Sequence, residues 1–140
     1  MKVDLRNFKR YVASWDRRMA RSIPKALNKS GNKVRELILD RTSRGVGLKG
    51  RFKRYSSEYK DYRAEKGRGA TPDLNFSGRM LSSMDVEKSG TNKVLVNFKR
   101  KEEAKKAKVN NKSRPFFGVK PDEKKFVAAA FARQLRRDLR

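Results

Sequence analysis

Leu5, Phe8, Val12, Trp15 and Met19 recur at alternating spacings of three and four, which puts them on one face of a helix. Arg6, Lys9, Arg10, Asp16, Arg17 and Arg18 fall between them, so the opposite face is polar and basic. Ser22 has the chemistry of a helix N-cap, and Pro24 is tolerated in a first turn, so a second helix is predicted there. Its stripe, Leu27, Val34, Leu37 and Ile38, runs to about Thr42. One bent helix and an αα-hairpin both fit residues 1–43.

Beyond Ser43 the periodicity stops. Gly45, Gly47 and Gly50 alternate with bulky or basic residues, a pattern that predicts a mobile loop or arm through Arg54. Ser56 can cap a short helix carrying Tyr59 and Tyr62, which Gly67 and Gly69 end. After a turn-rich stretch at residues 72–78, Ser77 can cap a brief helix containing Met80, Leu81 and Met84. Residues 85–88 and 93–98 read as strands, with Ser89, Gly90, Thr91 and Asn92 as the hairpin turn. In the second strand Val94, Val96 and Phe98 share a face, as a half-buried strand requires. A short charged helix is predicted over 102–108, Asn110 and Asn111 break the chain, and residues 114–119 form an apolar patch. Pro121 opens a last helix, whose inward stripe includes Val127, Phe131, Leu135 and Leu139. Arg133, Arg136, Arg137 and Arg140 complement its C-terminal dipole.

The prediction is one α+β domain over 1–140: N-terminal amphipathic helices, a small antiparallel sheet in the second half, and a C-terminal helix packed on that sheet. Residues 1–43 are its helical region, 44–71 the glycine-rich loop or arm with a short helix, and 72–140 the sheet with the last helix.

Charge changes this picture more than length does. The 140 residues include 39 Lys and Arg against 15 Asp and Glu, a formal net charge of +24. Such a domain repels itself and calls for anionic surroundings, from nucleic acid, an acidic protein surface or a membrane. Uninterrupted apolar runs are far shorter than the roughly 20 residues that cross a bilayer. Residues 1–6 lack the apolar core of a secretory signal. Cys and His are both absent, which removes disulfides, thiol nucleophiles, zinc fingers and imidazole bases.

The motifs with a precedent in nucleotide binding or metal chemistry fail on context. Gly45, Gly47 and Gly50 match G-x-G-x-x-G, but that motif binds dinucleotides only between a strand and a following helix. Arg51 and Phe52 replace the Lys-Ser/Thr of a P-loop. Asp73, Glu87 and Lys88 lack the spacing that would gather acids around magnesium, and Glu102 and Glu103 are adjacent rather than facing. No catalytic, cofactor-binding or metal-ligating residue is assigned, and the chain is expected not to be an enzyme. Arg44, Lys49, Arg51, Lys53 and Arg54 are the candidate anion- or partner-facing arm.

Two segments, in order, carry a resemblance. Residues 73–83 read D-L-N-F-S-G-R-M-L-S-S and residues 114–118 read R-P-F-F-G. The chain resembles the virion morphogenesis, neck or tail-completion proteins of tailed bacteriophages. There a D-L-x-x-[ST]-G-x-[ML]-x-x-S segment precedes the sheet and R-P-F-[FL]-G precedes the last helix. Asp73, Leu74, Gly78, Met80, Leu81, Ser83, Arg114, Pro115, Phe116, Phe117 and Gly118 are the structural positions so matched. The resemblance implies a non-catalytic subunit of the virion neck or tail region, assembled in the host cytoplasm as a ring of identical copies. Its implied partners are connector, head-closure or tail proteins, with possible contact to packaged DNA and none to membrane. The charge departs from the family pattern. A basic protein that binds nucleic acid through phosphate contacts is the alternative.

Overall fold

The computed structural model describes residues 6–90 and 92–140, without the side chains of residues 6–9 and 11. Leu5, the side chains of Arg6, Phe8 and Lys9, and Thr91 of the hairpin turn thus lie outside the described residues. The layout is α+β. A 38-residue helix, α1 (Arg6–Ser43), is followed by two short strands, β1 (Val46–Gly47) and β2 (Gly50–Arg51), and by α2 (Ser57–Glu65). Next come α3 (Arg79–Ser82), the hairpin β3 (Met84–Lys88) and β4 (Val94–Phe98), and α4 (Lys101–Ser113). A 3-10 turn, Pro121–Glu123, leads into α5 (Lys124–Leu139).

The two N-terminal segments are one helix. Pro24 lies in its interior, where a missing N–H and a ring clash cost about 3 kcal/mol. The last helix splints it. The Ser22 hydroxyl donates to Asp138 Oδ2 at 2.8 Å, and the Arg18 guanidinium donates to the Arg140 carbonyl at 3.0 Å. Ser22 is therefore no cap. With Ala26 and Ser30 it forms a buried column of small side chains, four residues apart, that lets α5 approach closely.

The C-terminal helix has a different partner from the one predicted, since it runs antiparallel along α1 rather than on the sheet. The β3–β4 hairpin takes a neighbouring face of α1. Its antiparallel register pairs Met84 with Phe98 and Val86 with Val96, so these side chains and Val94 line one face as expected. Gly31 makes that contact possible, because a Cβ there would stand 2.6 Å from Val86 Cγ1.

Ile38, Phe52, Leu74, Met80, Leu81, Met84, Ala107 and Phe116 make the core, below the end of α1. α4 passes straight through Asn110 and Asn111, the residues predicted to break it. The helix ends only after them because the Asn111 side chain is engaged elsewhere. Its Oδ1 accepts the N–H groups of Phe116 and Phe117 at 2.9 and 3.0 Å.

Two stability outcomes follow from these contacts. Arg41 and Glu123 form a buried ion pair, so Glu123→Ala strands a guanidinium and should cost about 3–5 kcal/mol in urea unfolding. A loss below about 1 kcal/mol would show that the pair is dispensable. Gly31→Ala gains up to about 1 kcal/mol of helix propensity but overlaps a stiff β-branched side chain, at about 1–3 kcal/mol. It should destabilise the protein, yet stabilise a Val86→Ala background in a double-mutant cycle.

Candidate functional site

The segment predicted as a mobile arm is a pinned hairpin. Val46 pairs with Arg51 and Gly47 with Gly50, the Phe52 N–H donates to the Gly45 carbonyl at 2.8 Å, and the Phe52 ring is buried. The Leu48 N–H donates to the Pro115 carbonyl at 2.8 Å, which ties the hairpin tip to the R-P-F-F-G segment. Of the five predicted basic residues, Lys49, Arg51, Lys53 and Arg54 are exposed along it. Arg44, also exposed, sits at its root and pairs with Asp40 at 2.9 Å. Sequence thus found the basic face but not its rigidity, which comes from Phe52 and from backbone bonds that charge and glycine spacing do not reveal.

The R-P-F-F-G segment works as a junction. Arg114 donates from Nε to the Lys53 carbonyl at 2.9 Å and from Nη2 to that of Arg54 at 3.3 Å. Arg41, in the last turn of α1, donates to the carbonyls of Phe116 and Gly118 at 2.8 and 3.1 Å, and to both carboxylate oxygens of Glu123. Phe116 is fully buried and packs edge-on with Phe98 of β4 and with Phe117, so the segment seals against the sheet and the core. A Cβ on Gly118 would stand 3.0 Å from Leu48, and Gly78 sits at φ +79°, so both motif glycines meet a real constraint.

The other motif segment is organised by a second buried arginine. Arg63 donates to Asp73 Oδ1 at 3.1 Å and to the Gly69 carbonyl at 2.7 Å. Asp73 Oδ1 also accepts the Asn75 N–H at 3.0 Å, and Leu74 is thereby held at φ +55°, an uncommon conformation for leucine. Gly78 rather than Ser77 is the N-cap of α3, although Ser77 Oγ accepts the Arg79 N–H at 3.4 Å. Ser56 caps α2 as predicted, accepting the Tyr59 N–H at 3.2 Å.

Between α2, this turn and α4 lies a cleft of about 470 Å³ lined by Tyr55, Tyr59, Phe76, Glu103, Asn110 and Arg114. The guanidinium carbons of Arg63 and Arg114 stand 5.0 and 4.7 Å from the centre of the Tyr55 ring. Glu103, nearly buried, pairs with Lys106 at 3.2 Å. That pair uses Glu103 Oε1, and the buried Oε2 has no hydrogen-bond partner among the described residues.

No family model, curated protein or solved structure matches the chain. Among the described residues, no group of three or more acids gathers where a metal ion could sit, and no helix is long and apolar enough to cross a membrane. Sequence reading missed Arg41 and Arg63 as buried residues. One signal was present for each: Arg41 continues the Val34 and Ile38 spacing, and Arg63 follows Tyr59 by four residues.

Burial raises the Tyr55 phenol above its ordinary value of 10.0, against the opposing pull of the Leu74 N–H and of Arg63. The unfolded chain then ionises first, so the stability this phenol supplies is full below pH of about 10 and declines above it. Alkaline spectrophotometric titration should find one tyrosine ionising late, and Tyr55→Phe should abolish that late step. Persistence of the late step in the variant would assign it elsewhere.

Proposed function

We propose that the chain is a structural subunit of the head–tail junction of a tailed bacteriophage, a neck or tail-completion protein assembling as a ring between connector and tail. The ordered resemblance of residues 73–83 and 114–118 supports this, and both segments act as joints of the fold. The observation that carries it is the placing of exposed apolar side chains. A ring built head to tail needs two different patches on each copy.

Asp138 and Arg140 meet α1 at Ser22 and Arg18, so roughly the first three turns of α1 project past the end of α5. Val12 and Trp15 are 40% and 42% exposed on that projection, and Phe126 is 47% exposed at the opposite end of α5. Val12 with Trp15 at one end of the helical pair, and Phe126 at the other, suit contacts between successive copies; Tyr62, Leu95 and Val109 are exposed elsewhere. The basic hairpin, standing apart from them, is left to face DNA or acidic neighbouring subunits.

Size-exclusion chromatography and negative-stain microscopy should find closed rings, and Trp15→Asp should yield monomers with unchanged circular dichroism. A stable monomer that binds duplex DNA tightly at physiological salt would overturn the ring reading in favour of a nucleic-acid-binding protein.

A further inference from the structure

α1 and α5 meet along a seam with two unlike flanks. On one flank Leu27, Val119, Val127 and Phe131 line an apolar groove. The other flank forms a groove of about 460 Å³, into which Lys29 and Lys33 converge from α1 and Arg133 and Arg137 from α5. We infer that this second groove is a binding site for the phosphate backbone of nucleic acid, read without regard to base sequence.

Little opposing charge lies within the groove. Its one acid among the described lining residues is Glu36, which Lys33 already holds at 3.1 Å. The cations continue up α1 as a ridge of Arg21, Lys25, Lys29 and Lys33, each four residues from the next. At 1.5 Å per residue that ridge extends about 18 Å, the rise of roughly five base pairs. Asp138, where the ridge passes the end of α5, has both carboxylate oxygens engaged, by Ser22 and by Gln134. A continuous helix holds these cations on one scaffold, so little backbone ordering is required of them on binding.

The lining separates nucleic acid from an acidic protein as the partner. Protein interfaces centre on apolar or aromatic anchors and are depleted in lysine. Here Ala130 is the only apolar residue among the described lining, and Asn32 and Gln134 supply the remainder. Nucleic-acid interfaces are instead polar and strongly positive. With phosphate as the recognised group, the contact positions a duplex and does not select its sequence.

The site differs from the basic hairpin, and it does not depend on ring formation, which is scored separately by particle size. The test is fluorescence anisotropy of the full chain with duplex DNA of two unrelated sequences, between about 50 and 200 mM salt. Replacing Lys29, Lys33, Arg133 and Arg137 together by Gln should flatten the slope of log K against log salt by about 3.6, at about 0.9 per lost phosphate contact. Both DNA sequences should respond alike. The matched control, Lys101, Lys105, Lys108 and Lys112 to Gln, removes the same charge from the exposed face of α4 and should flatten the slope far less. Circular dichroism confirms that both variants fold. The inference is overturned if the control matches the groove variant, or if the groove variant keeps the wild-type slope. It is overturned equally if poly-glutamate binds the groove as tightly as DNA, which would assign the site to an acidic protein.

Discussion

The ion pair of Arg41 and Glu123 holds the architecture together, because three separate elements end on it. α1 finishes there with its negative pole, and α5 begins there with its positive pole. A cation on the first and an acid before the second match both dipoles. The same guanidinium takes up the carbonyls of Phe116 and Gly118, so the segment linking α4 to α5 is fixed by the groups that fix the helices. A buried pair of this kind need not outdo apolar packing in net stability. What it supplies is position, since it sets how far α5 slides along α1.

Helix and strand signals were legible where side-chain spacing alone determines the outcome. The stripe ending at Thr42, the Ser56 cap and the Val94, Val96, Phe98 face all depend on local period and local hydrogen bonds. The differences arise where a distant residue intervenes. Ser22 caps nothing because Asp138 takes its hydroxyl, and Asn111 stays helical because Phe116 and Phe117 use its side chain. The partner of α5 was illegible for a similar reason: an amphipathic helix records that it packs, not on what. For the candidate site, Lys49, Arg51, Lys53 and Arg54 were readable as exposed charge. The convergence of Lys29 and Lys33 with Arg133 and Arg137 was not, as it joins residues far apart in the chain.

The high positive charge is distributed with some order. Buried guanidinium groups, on Arg41 and Arg63, each meet a carboxylate and backbone carbonyls. Cations on the hairpin and on the polar flank of the helical seam face outward, where water and dissolved counter-ions screen their mutual repulsion. Exposed large apolar side chains lie elsewhere: Val12, Trp15 and Phe126 towards the ends of the helical pair, and Tyr62, Leu95 and Val109 on α2, β4 and α4.

Pro24 gives the molecule a sense of order in time. The helix that crosses it is held by Asp138, 116 residues further along the chain. On a ribosome, Ser22 emerges long before its partner, and the early half of α1 lacks its splint throughout that interval. The first helix to be made therefore gains its Ser22–Asp138 hydrogen bond only after α5 has been synthesised. A chain that stopped short of Asp138 would retain the core around Phe116 but leave the half of α1 around Pro24 without the hydrogen bond that splints it.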